Sequence, residues 1–324
     1  MKAIQIERFG DPDVMQLAEL AIGEPGPGEV RIRHRACGIN FIDIYHRTGL
    51  YPLPLPLVLG TEGAGVIEAV GPGVAHLAVG DRVAYTARSP GSYAEARIMP
   101  AFPVVKLPDV IDFETGAAMM LKGLTVQYLL RRTHVDLSPG TSILWHAAAG
   151  GVGLIACQWA KALGLQLIGT AGTDDKCQLA AQHGAAHVIN YHREDVVARV
   201  REITGGKGVP VVYDAVGKDT WERSLDCLAP LGLLVSFGNA SGAVPPVALG
   251  VLAQKGSLYV QRPTLGTYVS DRESAQGMAD ELFGMVTSGK VKIPVERRYP
   301  LAEAAQAHRD LAARITTGSG VLVV

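Results

Sequence analysis

Gly151-Val152-Gly153, with a small residue three places on at Ala156, has the spacing of the G-x-G-x-x-G/A turn. The turn lies between an apolar run at 141–145 and a helical pattern at 154–163, and the residues leading into it are His146-Ala147-Ala148-Ala149-Gly150. A turn so placed presents backbone N–H groups at a helix N-terminus, where they and the helix dipole can receive a pyrophosphate. Gly150, Gly151, Val152 and Gly153 are thus expected to cradle a dinucleotide. About twenty residues beyond such glycines an acid normally selects the ribose 2′-hydroxyl of NAD. Here that stretch reads Gly169-Thr170-Ala171-Gly172-Thr173, with no carboxylate before Asp174. Gly172 leaves the place uncharged, Lys176 offers a cation to a 2′-phosphate, and Tyr191 adds a hydroxyl donor, which favours NADPH over NADH.

The elements that must hold these residues are legible as a change of rhythm. Up to about residue 120, short alternating runs at 30–34, 65–70 and 81–85 are broken by turn signals such as Pro25-Gly26-Pro27-Gly28 and Gly71-Pro72-Gly73, the pattern of a β-rich domain. After Leu121, strands at 142–146, 166–170, 187–190, 209–213 and 232–237 alternate with helices at 151–163, 174–183, 194–203 and 219–227, which predicts a parallel sheet with right-handed crossovers. The C-terminal stretch has helical patterns at 273–288 and 302–313 and a last strand at 320–324, too little for a core of its own, so it is expected to complete the first domain. The expected domains are 1–124 with 266–324, and 125–265.

At 324 residues and 48% hydrophobic, the chain can bury two cores. A formal net charge of -1 gives no electrostatic reason to expect nucleic acid or an anionic membrane. Four dispersed cysteines with no C-x-x-C argue against a disulfide framework or a structural zinc site and fit a reducing cytoplasm. The start of the chain alternates as a strand does, without the apolar core of a signal peptide, and the apolar 142–160 is interrupted by His146, glycines and Gln158, so no membrane segment is expected. Gly205-Gly206-Lys207-Gly208 lacks P-loop spacing and reads as a turn, while Met119 and Met120 read as core or pocket lining.

Taken with the glycine turn, Cys37-Gly38-Ile39-Asn40-Phe41-Ile42-Asp43, Gly60-Thr61-Glu62-Gly63-Ala64-Gly65 and Val212-Tyr213-Asp214-Ala215-Val216-Gly217 resemble the quinone oxidoreductases of the medium-chain dehydrogenase/reductase superfamily, the zeta-crystallin group, over nearly the whole chain. The resemblance implies an α/β protein, with a Rossmann-type doubly wound parallel sheet and a β-rich GroES-like catalytic domain. In the zinc alcohol dehydrogenases of that superfamily, a cysteine ligand would fall at Asn40 and a histidine ligand at Thr61, and the four-cysteine lobe would follow Tyr85, where 86–93 holds no cysteine. Amide and hydroxyl are poor zinc donors, so no metal is expected, and Cys37 reads as a small buried residue. Without a Lewis acid, reduction of an electron-poor quinone or conjugated carbonyl is easier than alcohol oxidation. The resemblance also implies that Asn40 binds the nicotinamide ribose and that Tyr45, on the loop replacing the metal-binding loop, faces cofactor or acceptor. Thr125, Phe237, Ser241 and Arg314 become further cofactor contacts. A homodimer is implied, for which the strand-like 256–260 could pair across a two-fold axis. Alternatives are an enone, alkenal or acyl-thioester double-bond reductase and, from a different class, an RNA-binding or structural lens protein.

Overall fold

The computed structural model describes residues 1–133 and 137–324. The chain divides into two compact units, Met1–Leu124 with Tyr268–Thr287 and Ile293–Val324, and Thr125–Thr267 with Ser288–Lys292. In chain order the elements are β1 (Lys2–Ile6), β2 (Gln16–Glu19), β3 (Glu29–Gly38), α1 (Phe41–Thr48), β4 (Leu57–Val58), β5 (Glu62–Val70), β6 (Arg82–Thr86), β7 (Ala96–Pro100), β8 (Val104–Lys106) and α2 (Phe113–Arg132). They continue with β9 (Ser142–Trp145), α3 (Gly151–Ala162), β10 (Gln166–Ala171), α4 (Asp174–Gln182), β11 (His187–Asn190), α5 (Val196–Ile203), β12 (Val209–Asp214), α6 (Trp221–Asp226) and β13 (Leu228–Ser236). Then come α7 (Gly250–Gln254), β14 (Tyr259–Gln261), α8 (Leu265–Tyr268), α9 (Arg272–Thr287), β15 (Val295–Pro300), α10 (Ala304–Ala312) and β16 (Ser319–Val323).

In the second unit the sheet order is β11-β10-β9-β12-β13-β14, with every pair parallel. Such a sheet is covered on both faces, which is why its strands are continuous apolar runs: Ile143, Leu144, Leu167, Ile168, Val211, Val212, Leu234 and Val235 are all buried. Strand order reverses at β9, flanked by β10 on one side and β12 on the other. The crevice beyond the carboxyl end of that strand is the ligand position of doubly wound folds, and the glycine turn begins there.

The first unit has a sheet of order β15-β16-β3-β5-β6-β8, with β7 also on β3, and a small sheet β2-β1-β4. The last strand, β16, pairs antiparallel with β3 through Val321, Leu322 and Val323 and parallel with β15, so the C-terminal stretch contributes two strands to this unit's sheet. Ile4, Leu59, Tyr93, Leu301 and Leu322 share one core here, and Val30, Ile67, Val83 and Met99 another.

Four features depart from the sequence expectations. The N-terminal half carries two helices that its turn signals hid. α1 is capped by Asn40, whose N–H donates to the Asp43 carboxylate three residues on, and it buries Asp43 to Arg47; Tyr45 is therefore helical rather than on a loop. α2, Phe113–Arg132, begins before residue 121, inside the stretch expected to be β-rich. The strand-like 256–260 is displaced to β14, since Ser257 takes a left-handed φ of 56° after Gly256. β15, with charged residues along it, showed no strand signal.

Candidate active site

The glycine turn is tight because three strands converge on it. Ala147 adopts φ 56°, a left-handed conformation costly for a non-glycine residue and kept only where surroundings enforce it. Its carbonyl accepts from the Gly150 N–H at 3.0 Å, while the Ala148 N–H donates to Thr170 O on β10 at 3.0 Å. Gly150 caps α3. A Cβ on Gly153 would stand 2.5 Å from the carbonyl oxygens of both Ala147 and Ala148, so only glycine lets α3 start this close to the turn. The first-turn N–H groups of α3 have no intrahelical acceptor and remain for an anion.

Under the turn lies a buried polar relay that the sequence did not disclose. Ser224 Oγ donates to Asp214 Oδ2 at 2.7 Å, so it must accept from His146 Nε2 at 3.0 Å, leaving His146 Nδ1 to accept from Thr170 Oγ1 at 3.0 Å. Burial holds the imidazole below its ordinary pKa, consistent with this neutral tautomer. Asp214 Oδ1 takes the N–H groups of Val216 and Gly217 and the hydroxyl of Thr220. The carboxyl ends of β9, β10 and β12 are thereby tied together below the cradle.

At the ends of β10 and β11 a cleft of about 340 Å³ is lined by Gly172, Thr173, Asp174, Asp175, Asn190, His192 and Arg193. A Cβ on Gly172 would lie 2.5 Å from the Tyr191 hydroxyl, so the missing side chain is what admits the phenol. Lys176 follows in the first turn of α4, where its N–H donates to the cap hydroxyl of Thr173 at 3.3 Å. Gly172, Lys176 and Tyr191 are thus brought to one corner of the sheet, next to the glycine turn's own strand end. Arg193 on the same cleft was not singled out from sequence, although it lies only two residues past Tyr191.

The other expected residues are placed as follows. Phe237, just after β13, packs against Trp145 with ring centroids 5.6 Å apart. The Ser241 hydroxyl donates to Val216 O at 2.9 Å and accepts from Asp219 N at 3.0 Å, so it ties two loops. Thr125 is buried on α2, and Arg314 follows α10 with φ 57°. Asn40, Tyr45 and Arg314 belong to the first unit, the remainder to the second.

In the first unit Asn40 is buried, and its Nδ2 donates to Glu62 Oε2 at 2.8 Å. Glu62 also accepts from Leu121 N at 2.8 Å and faces Lys122 Nζ at 3.7 Å, and that ammonium donates to Ile39 O at 3.2 Å. Burial pushes the Glu62 carboxyl up, opposed first by Lys122. Tyr45 is buried with its ring edge-on to Tyr51 at 5.1 Å.

A second network runs from Thr61 through Asp43 and Tyr93 to His308. Thr61 Oγ1 donates to Asp43 Oδ1 at 3.1 Å and Tyr93 OH to Asp43 Oδ2 at 2.9 Å, so the phenol oxygen accepts from His308 Nε2 at 3.1 Å. Arg47 Nη1 lies 3.2 Å from His308 Nδ1. Burial lifts Asp43 from 3.8 to about 7, despite these donors, and holds His308 down from 6.5 to about 3. The signs oppose. Between pH 4 and 7 Asp43 binds a proton only in the folded chain, so stability falls as pH rises; between about 3 and 6.5 His308 binds one only when unfolded, so stability rises with pH. Replacing His308 with Gln should therefore lower the slope of unfolding free energy against pH, between 4.5 and 6, by about 1.4 kcal/mol per pH unit. Urea midpoints across that range give the slope; one equal to the parent's would contradict the neutral burial of His308.

These residues do not suit zinc. The Asn40 amide nitrogen and the Thr61 hydroxyl are spent as hydrogen-bond donors to carboxylates, and among the described residues no three His, Cys, Asp or Glu side chains converge as ligands would. Cys37 is fully buried and its thiol contacts Ser92 O.

The family models for the alcohol dehydrogenase GroES-like domain and for zinc-binding dehydrogenases match residues 26–109 and 151–283, which defines a dehydrogenase/reductase of the medium-chain superfamily. The chain is 60% identical to a quinone oxidoreductase of Pseudomonas aeruginosa over 99% of both chains. It superposes on an Escherichia coli quinone oxidoreductase solved with NADPH, at 52% identity with a TM-score of 0.98 over all of both chains. A 2-haloacrylate reductase of Burkholderia is 45% identical over 99% of this chain and 98% of its own length. Within the superfamily, the chain belongs to the quinone oxidoreductase family.

Proposed function

We infer that this chain is a zinc-independent reductase that uses NADPH to reduce quinones. The observation that carries it is the cation-bearing cleft beyond β10 and β11 beside the glycine turn, in a chain matching quinone oxidoreductases along its whole length. NADPH, when bound, supplies a hydride, so that quinone and a proton become hydroquinone at its expense. The N–H groups at Gly151 to Gly153 and the α3 dipole hold the pyrophosphate, and Lys176 and Tyr191 bind the 2′-phosphate. Phe237, packed against Trp145, and Ser241, which also holds the loop that follows β12, are assigned as cofactor contacts. Asn40 is assigned to the nicotinamide ribose, its amide set by Glu62, and Tyr45 to the acceptor, with Thr125 and Arg314 as further cofactor contacts. A hydride-accepting quinone leaves a phenolate that needs only hydrogen-bond donors before water protonates it, which removes the need for a Lewis acid.

Residues 1–124 with 266–324 are assigned as the catalytic domain and 125–265 as the cofactor domain. The outer edge of β14, with Tyr259 and Val260 exposed at the end of the sheet, is assigned to pairing in a homodimer. Four free cysteines, and no helix among the described residues long and apolar enough to cross a membrane, support a cytoplasmic place.

The Burkholderia relative favours a second reading, reduction of a conjugated carbon–carbon double bond. Parallel assays with NADPH and either a benzoquinone or a 2-haloacrylate or alkenal decide between them. Faster turnover per KM on the quinone is expected; an enzyme that turns over only the alkenes would establish the second reading instead.

A further inference from the structure

The residue at the place where an acid selects NAD is not simply missing. Asp174 opens α4 about twenty residues beyond the glycines, and its side chain lines the cleft that the 2′-phosphate would enter. An unpaired carboxylate there would favour a ribose hydroxyl and repel a phosphate. Both oxygens are, however, occupied: Oδ1 accepts from Asn190 Nδ2 at 2.7 Å and Oδ2 from Arg193 Nη1 at 2.6 Å. Asn190 is buried and ends β11, so the amide fixes the carboxylate from the sheet side, while Arg193 reaches it across the cleft mouth. The Arg193 side chain is 71% exposed, so its remaining N–H groups face a solvated opening that a phosphate can enter.

We propose that Arg193, by pairing with Asp174, determines the cofactor specificity of this cleft: it cancels the charge that would select NADH and adds a guanidinium for the 2′-phosphate. The other titratable groups on the cleft are Asp175 and His192, with Lys176 and Tyr191 adjoining. The worth of so exposed an ion pair to folding is small, which leaves its effect on an incoming dianion as the main consequence. The inference rests on the dinucleotide reading of this unit.

The test uses the full chain and three variants, Arg193→Ala, Asp174→Asn and the double variant, titrated with 2′,5′-ADP and 5′-AMP and assayed with NADPH and NADH against one quinone. Arg193→Ala should weaken 2′,5′-ADP about tenfold relative to 5′-AMP and lower the NADH-to-NADPH ratio of KM values by a similar factor. Adding Asp174→Asn to it should recover part of that loss, the part due to the uncompensated carboxylate, while the part due to the missing guanidinium remains. Equal loss for both nucleotides in Arg193→Ala, or a double variant no better than the single, would overturn the proposal. A parent protein with no preference for 2′,5′-ADP over 5′-AMP would instead overturn the NADPH reading on which it rests, so the two failures are distinguishable.

Discussion

Gly153→Val abolishes dinucleotide binding without unfolding the chain. The new Cβ alone would sit 2.5 Å from two backbone carbonyl oxygens, those of Ala147 and Ala148, and backbone atoms cannot rotate away as a side chain can. Either α3 moves out or the turn opens, and both displace the N–H groups that receive the pyrophosphate. A misplacement of about 1 Å can cost about 100-fold in rate at a positioned site, and a loss of that order is expected in kcat/KM for NADPH along with weakened binding. The parallel sheet beneath is built from β9 to β14 and does not depend on the turn's reach to a ligand. Fluorescence titration with NADPH, alongside circular dichroism to confirm the fold, checks the outcome; a folded variant with parental affinity would show that the turn is not the cradle.

The second large effect falls on Lys176. Replacing it with Glu turns a cation in the first turn of α4 into a third acid beside Asp174 and Asp175, at the corner shared by Gly172 and Tyr191. A hydrogen bond to a charged group is worth about 1.5–3 kcal/mol, and reversal adds repulsion to its loss. KM for NADPH should rise about 100-fold and KM for NADH far less. A uniform rise for both cofactors would place Lys176 outside the phosphate site.

The second unit was legible in sequence because a covered parallel sheet writes its strands as apolar runs and its helices as the intervals between them. The corner of Gly172, Lys176 and Tyr191 could be anticipated from linear distance to the glycines. Arg193 could not: nothing in the chain says that it crosses to Asp174, since pairing from β11 to β10 decides it. The relay of His146, Ser224 and Asp214 was hidden for the same reason, each partner coming from a different strand or helix. In the first unit, Asn40 and Thr61 stand out in sequence as the places of absent zinc ligands, and Asn40 also, by resemblance, as a ribose contact. Their actual partners, Glu62 and Asp43, were within the quoted motifs but had no signal of their own, because a buried carboxylate is recognisable only once its donors are in place.

The most direct test of the central claim is steady-state oxidation of NADPH by the purified chain with a simple benzoquinone, after exhaustive dialysis against a strong chelator. Quinone-dependent oxidation of NADPH at an undiminished rate, with NADPH preferred over NADH, is the predicted result. Protein that binds NADPH yet passes nothing to any quinone, or that recovers activity only when zinc is returned, would contradict it.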